Sequence, residues 1–313
     1  MSKKVIAVIG ATGAQGGGLA RAILADKDGE FAVRAITRKP DGDAARALAA
    51  AGAELVSADL DDVSSLKQAF AGAYGAFCLT NYWEHMSPDK EIAQAKNLAD
   101  ASKASGVTHA IWSTLEDTRK RVPLNDDRMP TLHGRFKVPH FDTKGESDAF
   151  FDPARTTWLA TSFYWDNLIY FGMGPKPDAS GKLSFVLPMG NKKLPGIAAE
   201  DIGKCAYGVF KRGAAAIGKR LGIAGDHLTG AQMAQALSQA LEREVVHGDV
   251  PPAVFRSFGF PGADDLGNMF QYKAEFETEY CAARPLADSR ALNPELLTFA
   301  AWLVKYKSKI PLG

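Results

Sequence analysis

One segment constrains this 313-residue chain more than any other: Gly10-Ala11-Thr12-Gly13-Ala14-Gln15-Gly16, entered from an apolar run at residues 5–9 and left through a helical pattern at 17–25. A strand that turns directly into a helix leaves unpaired N–H groups at the helix start, and these favour phosphate. Gly10 permits the sharp turn, Gly13 lets the backbone approach a pyrophosphate with no Cβ in the way, and Gly16 lets the helix pack close to the sheet. A P-loop would need Gly-Lys-Ser/Thr after the turn, and Gly16-Gly17-Gly18-Leu19 does not supply it.

The rest of the first half repeats this unit. Short apolar runs at 32–36, 54–57, 76–79 and 108–112 read as buried strands, and 44–50, 63–70 and 92–104 carry apolar residues at helical spacing. Such alternation predicts an α/β fold, a Rossmann doubly wound parallel sheet with helices on both faces. Residues 115–141 break the pattern with Pro123, Pro130 and Pro139 among charges, and read as a long mobile loop or flap. Periodicity resumes with a helix at 144–151 and a strand at 156–161. Residues 1–161 are therefore expected to form the nucleotide-binding domain. Residues 162–313 form a smaller mixed α+β partner or substrate domain, some of whose segments return to the first. In it, strands are expected at 183–187 and 220–224 and helices at 200–211, 231–241 and 294–306, the last two begun by Thr229 and Asn293.

The end of the second strand indicates which dinucleotide is expected. An NAD site usually places a carboxylate there for the ribose 2′-OH. Here the chain reads Ile36-Thr37-Arg38-Lys39-Pro40. Arg38 can grip a 2′-phosphate bidentately and Lys39 adds charge, so NADP(H) is the expected cofactor. After the third strand, Asp59 is placed to accept from the adenine amino group with Leu60 beside the ring. A helix N-cap role for Asp59 or Asp61 is equally consistent.

Composition excludes other classes. With 46% hydrophobic and 23% charged residues and a formal net charge of +1, the chain has no field that favours nucleic acid or an anionic membrane. No apolar stretch approaches the roughly 20 residues needed to span a bilayer. Cys78, Cys205 and Cys281 are odd in number and far apart, which suits a reducing cytoplasm. The six histidines show no ligand spacing, so no metal is expected.

Several segments together carry a family resemblance. These are the glycine turn with its Gly-x-x-Gly-x-x-Gly spacing, Thr37-Arg38, Thr80-Asn81-Tyr82-Trp83-Glu84, His140-Phe141-Asp142-Thr143-Lys144-Gly145-Glu146, and the late run from Phe258 through Phe260-Pro261-Gly262-Ala263 to Phe270. They resemble the NmrA-like family of atypical short-chain dehydrogenase/reductases, and within it the NADP(H) redox-sensor type, over nearly the whole length. The resemblance implies a regulatory protein that binds NADP(H) and acts through protein partners, with a homodimer left open. It also implies that Thr80, Asn81 and Tyr82 pass near the ribose and nicotinamide, and that Lys144 reaches the nicotinamide ribose. Tyr164, Trp165, Asp166 and Asn167 would line the nicotinamide end. Read without it, Thr80 to Tyr82 are equally a strand-end turn, and Tyr164 and Trp165 equally core.

Short-chain reductases carry a tyrosine four residues before the lysine as proton donor. Here that slot is His140. Catalysis by an NADPH-dependent reductase of quinones or small carbonyl compounds would have to use Ser113, at the end of the fifth strand, with His140 and Lys144. With the usual donor missing, the leading expectation is a non-catalytic sensor whose switch is the long loop, and the reductase is the alternative.

Overall fold

A computed structural model describes residues 2–178 and 181–312, and in it the apolar runs and helical patterns become βα units. In chain order these are β1 (Lys4–Ile9), α1 (Ala14–Ala25), β2 (Phe31–Thr37), α2 (Asp43–Ala50), β3 (Glu54–Ser57) and α3 (Val63–Phe70). Then come β4 (Gly75–Cys78), α4 (Pro88–Ala104), β5 (His109–Thr114), α5 (Pro139–Ser147) and β6 (Thr156–Ala160). Ile6 and Val8 of β1 enter one core with Leu19 and Ile23, while Ala7 and Ile9 enter another with Leu66 and Leu98. Burial on both faces is why these strands read as continuous apolar runs.

The second half continues with β7 (Phe163–Tyr164), α6 (Asn167–Tyr170), β8 (Lys176–Pro177), β9 (Leu183–Val186), β10 (Lys193–Ile197) and α7 (Ala199–Arg212). It goes on with β11 (Arg220–Gly222), β12 (Asp226–Thr229), α8 (Gly230–Leu241), β13 (Val245–Gly248) and α9 (Pro252–Arg256). The chain ends with α10 (Ala263–Glu275), α11 (Glu277–Ala282), α12 (Leu286–Leu292) and α13 (Phe299–Tyr306). The large sheet has seven strands in the order β11-β6-β5-β4-β1-β2-β3, every pair parallel. Two mixed three-stranded sheets, β12-β10-β7 and β13-β9-β8, form the smaller α+β part. The chain therefore returns to the Rossmann sheet well after residue 161, through α7 and β11.

That return depends on a tight crossing. A Cβ on Gly203 of α7 would lie 2.0 Å from the Leu19 nitrogen of α1, and one on Gly18 would lie 2.5 Å from the Glu200 carbonyl oxygen. On the other side of α1, a Cβ on Gly16 would lie 2.5 Å from the carbonyl oxygens of Ile9 and Gly10. Backbone therefore meets backbone on both sides of the helix start.

Four local readings change. Residues 115–141 do not hang as a flap. Val122, Met129, Phe136 and Val138 are buried, and the first, second and fourth enter the second-half core. Asp142 accepts from the Thr118 amide and hydroxyl and from the amides of Lys137 and Val138, and Lys137 Nζ donates to the carbonyls of Asp126 and Met129. The following helix begins at Pro139 rather than Lys144, because proline suits the first turn and needs no N–H partner there. The cap of α3 is Asp62, which accepts from Ser64 and Ser65, whereas Asp59 accepts from the Asp61 amide. Asn293 does not start the last helix. It donates to buried Asp201, which also takes the Leu297 amide, so α13 begins later, at Phe299 behind its Thr298 cap. The Thr229 capping box, by contrast, forms with Gln232.

Gly203→Ala is expected to destabilise the fold by about 3 kcal/mol, at the upper end of overpacking costs because backbone must move. Urea unfolding of the two proteins measures the difference.

Candidate functional site

A cavity of about 1090 Å³ opens along the carboxyl ends of the parallel strands. It spans the position between β1 and β4 where the strand order reverses, the usual ligand crevice of an open α/β sheet. Gly10 makes the turn in the left-handed region, at φ +61°. Helix α1 then starts at Ala14 behind Gly13, with no capping side chain and no acidic residue in its first turn, so its leading N–H groups stay available to an anion. Gly10, Thr12, Gly13, Ala14, Gln15 and Gly16 line this end, while Ala11 is buried and donates to the Ile36 carbonyl.

Thr37, Arg38, Asp59 and Leu60 line the same end, and exposed Lys39 lies outside it. Arg38 is not free. Its guanidinium makes a two-pronged ion pair with Glu84, at 2.5 and 3.0 Å. The pair holds Arg38 more firmly protonated, and Glu84 ionised below the usual carboxylate range.

Toward the middle of the cavity lie Thr80, Asn81, Tyr82, Ser113 and Lys144. Lys144 Nζ donates to the Thr80 carbonyl at 3.0 Å and hydroxyl at 2.7 Å, and sits 2.8 Å from Glu91. Burial opposes the Glu91 charge most strongly, but Lys144, His85 and Thr80 together outweigh it and bring its pKa down to about 2. Ser113 donates to Gln15 Oε1 at 2.7 Å, and Gln15 Nε2 donates to the Tyr164 hydroxyl. A hydrogen-bonded chain thus spans from β5 to β7 across the glycine turn. Burial pushes the Tyr164 phenol up to about 12.

Asn167 also faces the cavity, whereas Trp165 and Asp166 do not line it. Trp165 packs on Phe299 and Trp302, and Asp166 accepts from the Ala199 amide at the start of α7. Trp165 follows β7, whose Phe163 and Tyr164 both line the cavity.

His140 lies buried in the first turn of α5, on the cavity wall. Its Nδ1 is 2.5 Å from Asp265 Oδ1, its amide donates to Asp265 Oδ2, and its ring lies against Trp83. Asp265, Glu84 and Glu91 are site residues that sequence reasoning had not singled out. The signal for Glu91 was Ser87-Pro88, a cap followed by proline that puts residue 91 in the first helical turn. Among the described residues no cluster of His, Cys, Asp or Glu suits a metal, and no helix is long and apolar enough to cross a membrane.

This strand order, with a glycine turn at the point of reversal, defines a protein of the Rossmann dinucleotide-fold class. The comparisons carry the assignment further: the chain belongs to the NmrA-like family, whose description matches residues 2–303. It is 31% identical over 302 residues to the NmrA-like family domain-containing oxidoreductase cpsB of Aspergillus campestris, covering 91% of this chain and 86% of the relative. Among solved structures it is similar to NmrA, a negative transcriptional regulator crystallised with NADP, at TM-score 0.76 and 23% identity over 98% of both chains. The triphenylmethane reductase of Citrobacter sp., complexed with NADP(H), matches at TM-score 0.72 and 19% identity, over 97% of this chain and 99% of that one. At these identities the two structures speak for the fold alone.

Glu91→Gln is expected to cost about 3 kcal/mol near neutral pH, the usual scale for breaking a buried ion pair. The folded pKa of Glu91 lies below its ordinary 4.5, so the contribution is full above that value and fades as pH falls toward about 2. Urea unfolding of both proteins at a series of pH values should show the gap closing on the acid side.

Proposed function

We propose that this chain is an NADPH-dependent reductase of apolar acceptors, quinones or small carbonyl compounds. The observation that carries the reading is the extent of the cavity. It runs on past the strand ends into a chamber walled by Phe141, Phe163, Phe255, Leu266 and Met269, room that the phosphate and adenosine contacts do not require. An apolar cleft with a few convergent polar groups is the usual form of a small-molecule site.

NADP(H) fits the residues present: the uncapped start of α1 for the pyrophosphate, Arg38 for a 2′-phosphate, and Asp59 with Leu60 for the adenine. A bound NADPH would supply hydride. Lys144, fixed by Thr80 and Glu91, would hold the ribose side of the cavity, and the Ser113–Gln15–Tyr164 chain would orient polar groups beside the chamber. Asp265 holds His140 at Nδ1, which leaves the other ring nitrogen as the one available to pass a proton. The oxidoreductase names of the curated relatives support this reading. An assay of NADPH oxidation over a quinone and aldehyde panel tests it. Turnover above roughly one per second is expected for at least one compound, and none across the panel would sink the reading.

A second reading, an NADP(H) redox sensor acting through protein partners, is favoured by the Arg38–Glu84 pair. A 2′-phosphate at Arg38 competes with Glu84. Glu84 shares a short 3-10 turn with Trp83, which packs on His140 and against Gly262. Release of Glu84 would therefore be felt in the segment carrying exposed Phe258 and Phe260. Glu84→Gln is expected to tighten NADPH binding about two- to five-fold, the scale of an exposed ion pair, and to leave NADH binding unchanged in isothermal titration.

A further inference from the structure

Among the described residues, one buried cation on the chamber wall has no carboxylate partner. Lys273, on α10, lines the cavity and is 2% exposed. Its Nζ has no carboxylate within ion-pair reach among the described residues, and its one hydrogen-bond partner is the sulfur of Met269, at 3.2 Å. Aromatic rings surround it: Phe141 at 5.3 Å, Tyr280 at 5.5 Å, Phe270 at 5.8 Å and Phe163 at 5.9 Å. Glu116, whose charge favours the ammonium from a distance, is committed to Arg284 at 2.7 Å, and that guanidinium adds repulsion. Burial first, then Arg284, lower the Lys273 pKa to about 7.

A second polar group is also unspent. Ser162 lines the same cavity, its Oγ is buried, and among the described residues it has no hydrogen-bond partner. It precedes Phe163, one of the rings around Lys273. Native folds satisfy most buried polar groups, so a hydroxyl without a partner and an ammonium whose one partner is a thioether, both on the wall of one cavity, are best understood as waiting for a ligand. Of the other cations on the cavity wall, Arg38 and Lys144 already have Glu84 and Glu91, and Lys176 is exposed to solvent.

We propose that Lys273 and Ser162 form an anchor for an anionic oxygen, and that the chamber takes an apolar, ring-bearing carboxylate. The ring would lie among Phe141, Phe163, Phe255 and Met269 while the carboxylate meets the ammonium and the serine hydroxyl. A low-dielectric aromatic surrounding makes this charge pairing selective, since a neutral analogue leaves the lysine as it was. The assignment rests on the reading above only in treating the chamber as the substrate end.

Isothermal titration with naphthoate and with the neutral naphthamide, with and without NADPH, tests the anchor without requiring turnover. Naphthoate is expected to bind about ten-fold tighter than naphthamide to the wild-type protein, the scale of a charge-assisted hydrogen bond. Lys273→Met should erase that preference while melting no lower than wild type, because it removes a buried amine without an oxygen partner. Ser162→Ala should reduce the preference. NMR of lysine-labelled protein should show the Lys273 titration move upward when naphthoate binds. Equal affinity for the two probes, no binding of either, or a preference that survives in Lys273→Met overturns the anchor. Absence of NADPH oxidation across the acceptor panel, with the carboxylate preference intact, overturns the reductase reading alone.

Discussion

Helix α1 has no spare space at its start. On one side it touches the turn out of β1 through Gly16, and on the other it crosses α7 through Gly18 and Gly203, with backbone as the limiting contact each time. This contact aims the uncapped first turn along the strand ends. It also draws the late part of the chain back over the sheet, because α7 lies on α1 and β11 follows it into the edge beside β6. The cavity wall is then completed by segments far apart in sequence, from Gly10 to Lys273.

Charge is distributed along this cavity in three different states. Arg38 is held by an exposed carboxylate that an incoming phosphate can displace at little cost. Lys144 is locked by a buried one whose loss would leave the ammonium with only the neutral oxygens of Thr80. Lys273 has none, and its proton is loosely held. The same residue chemistry thus serves exchange, fixation and reception, according to what faces each cation.

Much of the nucleotide end was legible in the sequence, because local chemistry writes it. A buried parallel strand must be apolar, a left-handed turn favours glycine, and Gly10, Gly13 and Gly16 therefore stand at fixed spacing. The far end was less so. Trp165 and Asp166 sit between cavity residues in sequence, yet one belongs to the aromatic core and the other caps α7, partners that lie more than thirty positions away. Asp265 becomes a site residue only through His140, and Glu91 only through Lys144. Residues 115–141 looked mobile because prolines and charges dominate them. The buried acceptor that collects their amides, Asp142, lies just past the segment, where its role leaves no pattern.

The re-entry of β11 has a consequence for how the protein comes into being. Residues 1–161 carry six strands and the whole phosphate turn, which makes them look like a unit that could stand by itself. On the ribosome, however, they emerge with β6 still an open edge and with one side of α1 still lacking the cover that α7 later supplies. An uncovered apolar helix face beside an unpaired strand edge invites pairing with the wrong chain. The nascent chain carries that exposure until residue 222 has left the exit tunnel, so the first half is early in sequence but late in completion.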